Sequence, residues 1–137
     1  MARAVLPGSR PVEDSLLTVA DALDEVMGQP YDEQWVPRVN QTLHRCALAL
    51  EGRLDAVVQQ LPDVAMNPRL SRQFGILEED LRGLLLAIWE SRRAVTTTQV
   101  AARHGLLQLA KRLRKAGEDE VNLVYEAAFT EDTETAL

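Results

Sequence analysis

The chain is poor in the residue types that build reactive centres: its 137 residues include one cysteine, Cys46, two histidines, His44 and His104, and two each of Trp, Tyr and Phe. A lone thiol excludes an internal disulfide. Within an apolar stretch it reads as a small buried hydrophobe in a protein of a reducing compartment, not as a nucleophile, since no histidine stands in a partnering motif. Zinc-finger cysteine spacing, glycine-rich phosphate loops and GxSxG are missing as well. No apolar run is long enough to cross a bilayer. The opening "MARAVLPGSRPVEDSLL" carries two arginines but no continuous apolar region of signal-peptide length. A soluble, cytoplasmic protein without a membrane partner is therefore expected. The formal charge of -6 and a pI near 4.9 deny the chain the broad basic surface that nucleic acid requires. The local exception, "KRLRK" at 111–115, is followed by "GEDE" and an acidic tail, and reads as the solvated side of a helix.

What the chain has is leucine, alanine and valine recurring at intervals of three and four, the signature of amphipathic helices. A first helix is expected over residues 11–27, with Leu16, Val19, Ala20, Leu23, Val26 and Met27 on one stripe and Gly28 and Pro30 as the stop. A second spans about 32–61 through Val36, Val39, Leu43, Cys46, Ala47, Leu50, Leu54, Val57, Val58 and Leu61, with Gly52 its weakest point. "PDVAMNP" breaks the pattern, and Asn67 followed by Pro68 is a helix start. The third helix carries Leu70, Phe74, Leu77, Leu81, Leu84, Leu85 and Ile88 to about Arg93. After "TTT" at 96–98, a capping stretch, the fourth runs from about Gln99 to Phe129 through Leu106, Ala110, Leu113, Gly117, Val121, Val124 and Ala128. Short connections between such helices imply an all-α, antiparallel four-helix bundle. The organisation expected is a tail at 1–10, one bundle domain at 11–130 and an acidic tail at 131–137.

Metal and cofactor sites of bundles are built from side chains pointing inward on facing helices. A carboxylate-bridged metal pair uses Glu-x-x-His, because residues three apart share a helix face; that motif is absent. His44 and His104 fall off the inner stripes and read as surface or boundary residues. The remaining polar candidates are Asp80, at the edge of the third stripe in "LEEDLRGLL", and Glu120, at the margin of the fourth. An acid in such a place ordinarily reaches solvent or pairs with an arginine. "LLLAIWE" at 84–90 is apolar almost all round, so Leu86 and Trp89 need cover from the first helix or from a second copy in a homodimer.

In order and spacing, "WVPRVNQTLHRCALALE" at 35–51, "NPRLSRQF" at 67–74, "LEEDLRGLL" at 77–85 and "EDEVNLVYEAAFTED" at 118–132 resemble bacterial members of the hemerythrin-like (HHE) family of four-helix bundles. The resemblance covers about residues 32–132. It implies a bundle fold and, in members with a di-iron site, a Glu-His pair in the third helix that falls on Asp80 and Leu81. The last-helix histidine and the glutamate four residues on fall on Gly117 and Val121. The second-helix ligand aligns with Gly52, Arg53 or Cys46. Leucine, glycine and valine cannot bind iron, so the expectation is a hemerythrin-like bundle that has lost its di-iron site. It would act as a binding, regulatory or structural module, not an enzyme, toward a protein or small-molecule partner. The alternative is an iron- or oxygen-binding protein with a carboxylate-rich site drawn from Asp80, Glu120, Cys46 and His44. At Gly117, a bare backbone inside a long helix predicts close packing by a neighbouring helix or by Phe74.

Overall fold

The computed structural model describes residues 15–94 and 99–136, with the side chains of 15–93 and 102–129. The expected start of the first helix at Pro11, the tail at 1–10 and the "TTT" cap lie outside the described residues. Four helices follow one another: α1 (Leu16–Met27), α2 (Trp35–Gln60), α3 (Pro68–Ala94) and α4 (Gln99–Ala136). No strand occurs among the described residues. Each helix packs on two others, α1 on α2 and α4, and α3 on α2 and α4, so the four stand in chain order round a square.

Neighbours run antiparallel, as the pairs between them show. Cys46 lies by Val19, and the Trp35 indole N–H donates to the Val26 carbonyl at 3.0 Å, so α2 ascends as α1 descends. Arg69 pairs with Glu126 whereas Arg112 lies by Gly83, which sets α3 against α4 in the same sense. Local signals fix the ends. Ser15 caps α1, its hydroxyl accepting from the Thr18 N–H at 3.0 Å, and the Asn67 side chain accepts from the Leu70 N–H at 3.1 Å with Pro68 at the first helical position. Gly28 closes α1, its N–H returning to the carbonyls of Asp24 and Glu25 while the Gln29 N–H donates to that of Val26. Gly52 does not break α2, which is continuous over 26 residues.

The core follows the stripes closely in α1 and α3. All six α1 residues are buried, and in α3 Leu70, Phe74, Leu77, Leu81, Leu84 and Ile88 are at most 2% exposed, with Leu85 partly buried against them. In α2 the buried face is turned slightly from the expected one: Trp35 and Ala49 join it, Val36, Ala47 and Leu61 pack at its rim, and Val58 is 40% exposed. α4 departs most. Leu106, Ala110 and Leu113 are buried as expected, but Val121, Val124 and Ala128 face outward, while Leu109, Ala116, Glu120 and Leu123 face in. The cause is α1. Its first residues, Leu16 and Leu17, lie against Gly117, so the stripe of α4 that α1 covers up to Gly117 continues beyond it with nothing described on top. The helix also runs on to Ala136, seven residues past the expected end at Phe129. No proline or glycine follows to stop it.

Candidate functional site

Beyond the start of α1 at Leu16, the described residues of α2 and α4 leave an open corner. Two adjoining hollows fill it, of about 430 Å³ and about 450 Å³. Arg53, Glu120 and Val124 line both, so they form one groove divided at its floor by the Arg53 and Glu120 side chains. Val57 and Gln60 of α2 make one wall, and Phe74 of α3 reaches the floor between the helices. The outer wall is apolar: Leu16 and Leu17 at the start of α1, then Gly117, Val121, Val124, Tyr125 and Ala128 along α4. Val121 is 60% exposed, Tyr125 74% and Val124 43%, a contiguous run of apolar surface of the kind that marks an interaction site.

Glu120 is the one buried charged residue among the described side chains, 7% exposed. Its carboxylate sits 3.4 Å from the Arg53 Nε. Loss of solvent pushes its pKa up, and the Arg53 charge opposes that shift without cancelling it. The buried Arg53 Nε makes no hydrogen bond among the described residues, so the pair is an ion pair held at a distance, with donor capacity left over. Such a floor can meet either a cation, through Glu120, or an acceptor, through Arg53.

The other candidates lie apart from one another. Asp80 is exposed on the seam between α3 and α4, in the field of Lys115. Cys46 is fully buried, its thiol directed at the Val19 carbonyl at 3.9 Å, under α1. His44 and His104 are exposed. Among the described residues no group of three or more His, Cys, Asp or Glu side chains could hold a metal ion. The positions that the family resemblance assigns to iron do not fit that metal either: Leu81 is core hydrocarbon, Gly117 has no side chain and is closed over by Leu16 and Leu17, and Val121 points outward. Elsewhere, the "KRLRK" segment is only partly a solvated face. Lys111, Arg112 and Lys115 are exposed, but Arg114 is half-buried and crosses to α1, where it pairs with Asp21 at 2.8 Å and with Asp24. Leu86 and Trp89 remain 62% and 60% exposed, so α1 does not cover them; the Arg92 guanidinium lies over the Trp89 ring, 5.3 Å from its centre.

Val57 and Tyr125 were not singled out by sequence reasoning as site residues, and Arg53 only as one of three positions on which the resemblance could place the second-helix ligand. The signal available was a mismatch of lengths. A first helix of at most 17 residues (11–27) was set against three of about 26 or more, so one stripe of α4 had to outrun its cover.

Comparison with known proteins finds no family model, no curated relative and no solved structure that matches this chain.

Proposed function

We propose that the protein is a non-catalytic interaction module, hemerythrin-like in its sequence pattern and without a di-iron centre, whose working surface is the open corner between α2 and α4. Its ligand is the apolar face of an amphipathic helix, laid where further turns of α1 would otherwise run. The observation that carries this reading is the groove itself, apolar along α4 and floored by an ion pair, at the corner where a 12-residue helix faces partners of 26 and 38 residues. A helix laid in an apolar groove is recognised through side chains at i, i+3, i+4 and i+7. The acidic chain favours a partner whose remaining faces are basic.

The test is fluorescence anisotropy of a labelled amphipathic peptide of about four turns, leucines at that spacing and lysines elsewhere, against a scrambled peptide of the same composition. Saturable binding of the first alone is expected, lost in Val124→Asp, which charges an exposed point in the middle of the groove, and kept in Leu86→Asp on α3. Equal binding of both peptides, or indifference to Val124→Asp, overturns the reading. Iron reconstitution followed by metal analysis should leave no stoichiometric tight iron. A diferric oxo absorption band at stoichiometric iron would restore the iron-binding alternative.

A further inference from the structure

We infer that the helix received at this corner carries one arginine within its apolar face, whose guanidinium enters the hollow walled by Val57 and Gln60 and bonds to Glu120. The inference rests on the corner being a docking surface and adds the chemistry of the partner's anchor. Glu120 has acceptor capacity that the chain leaves unused. Its side chain is 9% exposed yet lines both hollows, so the carboxylate opens into the groove and not to bulk water. An ionised carboxylate offers about four acceptor positions. Arg53 stands 3.4 Å away without a hydrogen bond from its Nε, and none reaches Glu120 from the other described residues.

Charge decides what can use that capacity. The charged side chains lining the two hollows are Arg53, Glu120 and Asp63, one positive against two negative. An anion brought in here would lie beside a carboxylate that has no path to water, whereas Arg53, over a third exposed, can give way. An apolar side chain would complete the burial of Glu120 and leave it facing a guanidinium that does not bond to it, which burial penalises. A cation avoids both costs. Loss of solvent already disfavours the charge on Glu120, and an added guanidinium offsets that. The groove also separates the two kinds of contact. Gln59, Gln60 and Asp63 belong to the hollow of about 430 Å³, whereas Leu16, Leu17, Val121 and Tyr125 wall the adjoining one of about 450 Å³. An arginine in the first hollow can thus share its helix face with leucines three and four residues away in the second. Arginine suits the place better than lysine, because its planar guanidinium is weakly hydrated and gives two parallel bonds to one carboxylate.

The experiment exchanges one central leucine of the amphipathic peptide for arginine and, in a second peptide, for citrulline, which has the same shape without the charge. Anisotropy with the full chain should show the arginine peptide binding about tenfold more tightly than the citrulline peptide, the usual scale of a hydrogen-bonded charge. Moved to the polar face of the helix, the same two residues should differ by less than about twofold, as exposed charges do. In Glu120→Gln the central arginine and citrulline peptides should bind alike. In Asp80→Asn, which removes the same charge from the seam between α3 and α4, the tenfold preference should remain. Helical circular dichroism of both variants should match the unaltered chain. Arginine no better than citrulline at the central position, an equal preference on the polar face, or a preference that survives Glu120→Gln overturns the inference. If the leucine peptide still binds in that event, the corner remains a docking surface and only the anchor is lost. Binding of none of the peptides removes the docking surface and the anchor together.

Discussion

Gly117 and Glu120 sit one turn apart on α4 and set the limits of the groove. A Cβ added at Gly117 would stand 3.2 Å from the Leu16 Cβ and 3.4 Å from the Leu17 Cγ. The bare backbone therefore admits the start of α1, as the sequence led one to expect of a neighbouring helix, and the contact is not with Phe74. Because the Leu16 Cβ is tied to its own backbone, α1 must shift as a unit to make room. Gly117→Ala should thus lose its propensity gain of roughly 1 kcal/mol to overpacking and come out slightly less stable, and Gly117→Leu should cost about 2 to 3 kcal/mol, both read by denaturant unfolding. At Glu120 the folded-state pKa lies above the ordinary carboxylate value. The folded protein then binds this proton more tightly than the unfolded chain does. Its contribution is most favourable below the ordinary carboxylate range and is lost as pH rises through the raised folded pKa. Glu120→Gln removes that term while Arg53, over a third exposed, can turn to water. The stability of the variant relative to the unaltered protein should increase as pH rises from the ordinary carboxylate range through the raised folded-state pKa of Glu120. A difference constant across that range would show that Glu120 ionises as an ordinary surface acid.

At the scale of the helices, the sequence stripes state phase well and cover poorly. In α3 every expected core position is buried or partly buried, because the helix lies between two long neighbours and its whole apolar face meets one or the other. In α4 the phase was equally sound, since Leu106, Ala110, Leu113, Gly117, Val121, Val124 and Ala128 do share a stripe, yet the last three are exposed. What decides this is where α1 begins, more than a hundred residues earlier in the chain, and periodicity within a helix contains no such information. The groove was invisible for the same reason, as was the burial of Glu120, which is inward only because the core of α4 is completed by α2 and α3. The Asn67 cap of α3 was legible, being local, whereas the Ser15 cap was not singled out, the first helix having been expected to start at Pro11. Ser15→Ala removes the acceptor for the Thr18 N–H, and Asn67→Ala the acceptor for the Leu70 N–H. Each should cost about 1 kcal/mol of the helix it starts. The consequences differ, because α3 is central to the fold and α1 is its shortest member.

Taken as a whole, the molecule is three long helices closed by a short fourth, and Cys46 lies beneath that closure, fully buried with its thiol against the Val19 carbonyl of α1. The single thiol therefore reports whether α1 lifts away as a unit or leaves only with global unfolding. The first is expected, since α1 is held by 12 residues of packing, one cap, the Trp35 indole bond to the Val26 carbonyl and the Arg114 pairs with Asp21 and Asp24, and partly exposed pairs of this sort contribute at most about 1 kcal/mol. Under conditions in which reclosing is faster than reaction, the rate of labelling by a thiol reagent follows the free energy of the opening that exposes Cys46. Ser15→Ala and Arg114→Met both weaken the hold on α1, and each should speed labelling by up to about fivefold, 1.4 kcal/mol being tenfold. Asn67→Ala lowers global stability by a similar amount through α3 and should leave the rate nearly unchanged. Equal acceleration by all three would mean that α1 opens only when the whole bundle does. It would also mean that the corner beside it is a fixed feature of the folded protein and not the edge of a lifting helix.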